Sequence, residues 1–215
     1  MDVELKNIRV EIPPQNQRLF ELPEFKVAAG ERVLIQGPSG RGKTTLLHIM
    51  AGLLRPQGGL VNVGGQDLGQ MTDSQLSSWR RDHLALVFQK LNLLPHLTSL
   101  ENVMLMRRQG QFVSSDEAEQ ALAQVKMSSR EKVLAAHLSL GEQQRVAVAR
   151  VLVASPQLIL ADEPTSSLDD FHAQEIIEAL LGATGGRVTL VVVSHDHRLR
   201  QSFTRHLDFD QMVKA

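Results

Sequence analysis

Four short stretches of this chain, residues 33–35, 84–88, 158–161 and 188–193, are apolar with almost no polar alternation. Runs of that length have the character of parallel strands buried on both faces, and together they predict the central sheet. The N-terminal pattern differs. Val3, Leu5, Ile8, Val10 and Ile12 alternate with polar residues and slip once, which predicts a bulged edge strand ended by Pro13-Pro14. Leu60-Val61-Asn62-Val63 before Gly64-Gly65 predicts a further strand and turn, so an antiparallel layer is expected beside the parallel sheet. Helical spacing appears in three places: residues 45–52 with a terminal Gly; Ala118, Ala121, Leu122 and Val125 behind a Ser114/Glu117 capping box; and Phe171, Ile176, Ile177, Leu180 and Leu181 closed by Gly182. The fold class that follows is α/β: a mostly parallel sheet, an N-terminal antiparallel β layer and an inserted α-helical lobe. One domain over residues 1–215 is expected, with core segments at about 1–88 and 146–215 and the helical subdomain at 89–145.

Composition narrows the function classes. With 42% apolar residues in 215, the chain can bury a full core. Its 23 basic and 24 acidic residues nearly cancel, which argues against a nucleic-acid footprint or a polybasic membrane anchor. The absence of Cys excludes disulfides and thiolate metal sites. No apolar run approaches the ~18 residues of a membrane span, and the acidic, alternating start is unlike a signal peptide. A cytoplasmic protein is expected.

The chemistry begins at Gly37-Pro38-Ser39-Gly40-Arg41-Gly42-Lys43-Thr44-Thr45, a phosphate-binding loop lying between a predicted strand and a predicted helix. Glycines let backbone N–H groups turn inward, and the helix N-terminus adds its partial positive charge, so the loop suits a phosphate. Lys43 then bridges phosphates, and the Thr44 hydroxyl ligates Mg²⁺. The strand Leu158-Ile159-Leu160-Ala161 ends in Asp162-Glu163. In a phosphate-loop enzyme an acid at such a strand end holds the Mg²⁺ shell, which assigns Asp162; Glu163, one residue on, is placed to accept a proton from water.

Further motifs follow in order. Leu138-Ser139-Leu140-Gly141-Glu142-Gln143-Gln144-Arg145 resembles the signature of ATP-binding cassette (ABC) ATPases, Gln89 the Q-loop, Ser166-Ser167-Leu168-Asp169 the D-loop, and His195 the H-loop. The resemblance covers the chain from about Val3 to His197, closest to ATPases of lipoprotein-release and macrolide-export systems. It implies the ABC fold on a P-loop NTPase core, with ATP and Mg²⁺ as ligands. Residues 39–45 would cradle phosphate, Thr44, Gln89 and Asp162 would serve Mg²⁺, Glu163 would be the general base, and His195 would contact the γ-phosphate. It also implies a head-to-tail sandwich of two such domains, homo- or heterodimeric, in which Ser139 and Gly141 serve the other domain's nucleotide, and it counts the D-loop residue Asp169 among the nucleotide-binding residues. A membrane permease would dock on the apolar segment after Gln89, placing the protein at the cytoplasmic face of the inner membrane. The rival readings are an ABC-type ATPase acting in cell division, on DNA or on ribosomes, and an ATP-gated scaffold that hydrolyses weakly.

Two departures from the family pattern carry expectations. Leu140 stands where the family has Gly, so its side chain would obstruct phosphate or forbid a positive φ. No Tyr is present and the single Trp is Trp79, which leaves Phe20 as the nearest candidate to stack on adenine. The stretch His195-Asp196-His197 offers two imidazoles but no third ligand nearby, and is not read as a metal site. Ser194-His195-Asp196 is not read as a triad, since consecutive strand residues do not line up in relay geometry.

Overall fold

A computed structural model describes residues 1–12, 17–108, 110–166, 168–185 and 187–214. The chain opens with β1 (Val3–Ile12), β2 (Gln17–Val27) and β3 (Arg32–Gln36), then α1 (Lys43–Met50), β4 (Gly58–Val63) and β5 (Gln66–Asp67). Next come α2 (Asp73–His83), β6 (Leu84–Val87), α3 (Ser99–Met104), the two-residue strands β7 (Arg107–Arg108) and β8 (Gln111–Phe112), and α4 (Ser115–Gln124). The last part holds α5 (Leu140–Ala154), β9 (Leu158–Asp162), α6 (Asp170–Thr184), β10 (Thr189–Ser194), β11 (Arg205–Asp208) and α7 (Phe209–Met212).

The expected mixed architecture holds. One sheet, in the order β11-β3-β10-β9-β6, is parallel throughout. Its four inner-pattern strands are the apolar runs, and their side chains divide by a period of two. Val33, Ile35, Leu160 and Val193 enter a core shared with α1 and the antiparallel sheet; Leu34, Ile159, Ala161 and Val192 enter a second core shared with α4, α5 and α6. Both faces are covered, which is why the middles of these strands are apolar and their polar residues fall at the ends.

The antiparallel sheet runs β2-β1-β4-β5, which makes β1 an interior strand and corrects the edge assignment. Alternation reports that one face is buried and says nothing about whether both edges are paired. The slip in its pattern is real: Asn7 takes a left-handed φ of 52°, and the pairing with β4 shifts between Lys6 and Arg9. Pro13 and Pro14 lie outside the described residues.

At α4 the capping box forms as expected, with Ser114 accepting from the Glu117 N–H and Glu117 accepting from the Ser114 N–H. Two details of α6 differ from expectation. It continues past Gly182 to a left-handed Gly185 at φ 48°, because one Gly costs an otherwise apolar helix only about 1 kcal/mol. Phe171, in its first turn, is 67% exposed and does not pack on the sheet.

Between β6 and α3 the apolar connection is stitched by one side chain. Fully buried Asn102 accepts from Leu94 N (2.8 Å) and donates to the carbonyls of Leu94, Leu97 and Thr98. The loop's backbone groups therefore have partners without forming regular structure. Replacing Asn102 with Ala should cost about 1–3 kcal/mol by orphaning them. In thermal melts that corresponds to a fall in Tm of roughly 3–10 °C.

Candidate functional site

Every predicted catalytic element meets at the carboxyl end of the parallel sheet, where α/β sheets bind ligands. The phosphate loop follows β3, Gln89 follows β6, Asp162 ends β9 with Glu163 after it, and His195 follows β10. Ser39, Gly40, Gly42, Lys43, Thr44, Thr45, Gln89, Asp162 and Glu163 together line one cavity of about 350 Å³. Gly37, Pro38 and His195 line a second cavity of about 620 Å³. Arg41 points elsewhere and pairs with Asp210 at 2.8 Å.

Gly42 fixes the shape of the loop. It is the N-cap of α1 at φ 109°, and a Cβ there would sit 2.8 Å from two ring carbons of Phe20. Phe20 itself is fully buried, edge-on to Phe209 with ring centroids 5.4 Å apart. It therefore forms a wall behind the loop, and as a packed core residue it is not free to serve as the candidate that stacks on adenine. Phe209 also lies against Gly37, 3.1 Å from where a Cβ would be.

Lys43 is 6% exposed, and its ammonium donates to the carbonyls of Gly37 (2.7 Å) and Pro38 (2.8 Å). Burial lowers its pKa, against the opposing pull of Glu163, Asp162 and Asp210. A buried cation whose hydrogen bonds go to neutral carbonyls is set to exchange them for phosphate oxygens. Thr44 Oγ1 donates to Asp162 Oδ2 at 2.8 Å. Burial raises the Asp162 pKa, the neighbouring Glu163 charge adds to the rise, and the Thr44 hydroxyl opposes it. Hard oxygen donors side by side, one of them a charge made costly by burial, fit Mg²⁺.

That cost yields a prediction. Asp162→Asn keeps the Thr44 bond and removes the buried charge, so the nucleotide-free protein should gain about 1 kcal/mol and 2–4 °C in Tm while losing Mg²⁺-dependent ATP turnover. Calorimetry on the two proteins checks it; a Tm equal to or below wild type would contradict it.

Glu163 occupies a left-handed conformation at φ 49°, rare for a residue with a Cβ, and only 7% of it is exposed. Its N–H bonds to Val193 O at 2.9 Å. Its Oε2 accepts from Ser194 Oγ at 2.7 Å; its Oε1 accepts from His195 N at 3.0 Å and lies 2.7 Å from His195 Nδ1. The parallel register explains this. Asp162 sits opposite Val193, which sets Glu163 beside Ser194 and His195 on the adjacent strand. Ser194 was visible in the sequence only as part of a discarded triad; its contact with Glu163 depends on a pairing that no local pattern encodes.

The signature and D-loop residues lie in neither cavity. Ser139 caps α5 in a box with Glu142, and Asp169 caps α6 through His172 N at 2.9 Å. Gly141 approaches Leu168, whose side chain would lie 3.1 Å from an added Cβ, so the two motifs abut. Ser167 lies outside the described residues. Leu140 is the first helical residue of α5 and 51% exposed. It is not among the positive-φ residues, so the expected backbone conflict does not arise; its side chain faces solvent and acts only on what approaches α5.

The family model described as ABC transporter matches residues 21–166. The chain is 40% identical over 202 residues to the lipoprotein-releasing system ATP-binding protein LolD of Chromohalobacter salexigens, covering 92% of this chain and 85% of that protein. LolD of Geobacter metallireducens is 46% identical over 177 residues, 80% of this chain and 79% of the relative. The uncharacterized ABC transporter ATP-binding protein Rv0073 of Mycobacterium tuberculosis is 38% identical over 92% of this chain, which spans only 62% of that relative's length. Among solved structures, the ATP-binding cassette MJ0796, a dimer in a post-hydrolysis state bound to ADP and Pi, superposes with a TM-score of 0.87 at 33% identity, covering 96% of this chain and 93% of its own.

Proposed function

The chain belongs to the ABC transporter family, and from that premise we propose that it hydrolyses ATP to drive a separate membrane permease of the lipoprotein-release type. The observation that supports this most is the single cavity that gathers Lys43, Thr44, Gln89, Asp162 and Glu163 around the phosphate loop. Backbone N–H groups of residues 39–45 and the α1 N-terminus receive the phosphates, and Lys43 moves from the Gly37 and Pro38 carbonyls to the β- and γ-phosphate oxygens. Thr44, Gln89 and Asp162 would hold Mg²⁺, which when bound neutralises charge on those oxygens. Glu163 accepts the proton of the attacking water, once that water replaces one of the donors now on its carboxylate. His195, already beside Glu163, steadies the γ-phosphate.

Two copies face each other head to tail in this reading, so that Ser139, Gly141 and Asp169 act on the other copy's nucleotide. All three lie outside the cavity of their own chain, as a shared site requires. The N-terminus of α5 presents free N–H groups to an approaching phosphate.

Toward the permease, Leu94 is 40% exposed and Leu134 is 36% exposed, on segments joined by the Thr98–Leu134 bridge. Asn102 fixes that connection directly after Gln89, so a docked element would sense the nucleotide site through a short, rigid path. Among the described residues no helix is long and apolar enough to cross a membrane; in this reading the spanning part is the separate permease. We place the protein at the cytoplasmic face of the inner membrane. Purification from native membranes should recover an integral membrane protein whose presence raises ATP turnover; a partner set that is entirely cytosolic would favour a role outside transport.

A further inference from the structure

A knot of ion pairs ties the loop after Glu163 to the strand end that holds it. Arg198 Nε donates to Asp196 Oδ1 (2.9 Å) and Oδ2 (3.0 Å), and its Nη2 to Oδ2 at 2.7 Å. Nη1 donates to Asp170 Oδ1 at 2.5 Å, and both terminal nitrogens reach Leu168 O at 3.3 Å. Asp196 Oδ2 also accepts from Thr165 Oγ1 at 2.9 Å. From Asp196 the path runs inward: its N–H donates to Ser194 Oγ (3.0 Å), which donates to Glu163 Oε2 (2.7 Å). The circuit closes covalently, because the segment carrying Thr165, Leu168 and Asp170 departs from Glu163 itself.

We propose that Arg198 is a positioning residue for Glu163, holding Asp196 and the 165–170 segment so that Ser194 presents its hydroxyl to the carboxylate. A residue kept in the left-handed region needs surroundings that over-determine it, and the two ends of this circuit do so for Glu163. Burial would push the Asp196 pKa up, but the Arg198 and Thr165 bonds outweigh it and hold the carboxyl below its ordinary value. Asp196 is thus an anion only 8% exposed in its side chain, and Arg198 supplies its counter-charge. A planar guanidinium fork spans Asp196, Leu168 and Asp170 at once; a lysine ammonium does not. The mobility that loss of Arg198 gives Glu163 is of the kind that costs turnover rather than binding, since a displacement of ~1 Å at a reacting group lowers rates by ~10²-fold.

The inference rests on Glu163 being the general base, and the test separates the two. ATPase kinetics are measured for wild type, Glu163→Gln, Arg198→Ala, Arg198→Lys and Asp170→Asn. The expected result is that Arg198→Ala lowers kcat about tenfold with KM for ATP within about twofold. Arg198→Lys should recover less than half of that loss. Asp170, 92% exposed, is outside the core, so Asp170→Asn keeps the fold and should lower kcat about two- to threefold even where Arg198→Ala does not fold. Wild-type kcat in Arg198→Ala, equal effects on kcat and KM, or full activity in Arg198→Lys overturns the positioning role. Where Arg198→Ala does not fold, wild-type kcat in Asp170→Asn overturns it as well. Wild-type turnover in Glu163→Gln overturns instead the assignment of the base.

Discussion

Replacing Glu163 with Gln should cut ATP hydrolysis by about 10²–10⁴ while leaving ATP binding intact. The amide keeps the size of the side chain, and its carbonyl oxygen still accepts from Ser194 Oγ or from the His195 N–H, so the left-handed turn at φ 49° retains part of its support. What is lost is the ability to take a proton. Nothing in the phosphate cavity that grips nucleotide changes: Lys43, Thr44 and the loop N–H groups are untouched. Binding and turnover should therefore separate, with bound ATP persisting on the protein. A variant that hydrolyses near the wild-type rate would remove Glu163 from the chemistry and return it to a structural role at the strand end.

Gly42→Ala should carry the largest stability effect of any single-atom change near the site. Two costs add at this position. An alanine at φ 109° is strained by about 1–2 kcal/mol, and its Cβ would lie 2.8 Å from the Phe20 ring, an overlap of the kind that costs about 1–3 kcal/mol. The ring has no room to retreat, because Phe20 is fully buried and packed edge-on to Phe209. For a chain of this length the sum corresponds to a Tm lowered by roughly 5–15 °C. The loop is also levered away from the path of the phosphates, so ATP affinity should fall at least tenfold. Melting curves and equilibrium nucleotide binding report the two effects separately. A protein that melts and binds like wild type would mean that the loop is not shaped by its contact with Phe20.

What the sequence disclosed and what it hid divide along a physical line. The phosphate loop, the Asp162-Glu163 strand end and the four apolar strands are local: each is written in consecutive residues whose spacing matches one element. The capping box at Ser114 and Glu117 is local in the same sense and forms as read. Hidden were the properties that depend on which segments become neighbours. The alternation in β1 shows one buried face but cannot show that β2 and β4 pair on both edges. The Ser194 contact with Glu163 follows from the register of β10 against β9, and the packing of Phe209 behind Gly37 joins residues from opposite ends of the chain. Leu140 shows the same limit from the other side. Its departure from the family pattern was plain, yet only its placement in the first turn of α5 revealed that the backbone is unaffected and the side chain faces outward. Arg198 had no motif at all; its role is visible only in the three groups its guanidinium touches, the Asp196 and Asp170 carboxylates and the Leu168 carbonyl.

The account turns on a nucleotide held in the cavity of one chain and completed by α5 of another. The most direct measurement is the mass in solution of the Glu163→Gln protein, with bound nucleotide counted, in the presence of Mg²⁺ and either ATP or ADP. The predicted result is a dimer carrying one ATP per chain, reverting to monomer with ADP. A protein that binds no nucleotide, or that binds ATP and remains monomeric even with its permease present, would contradict it.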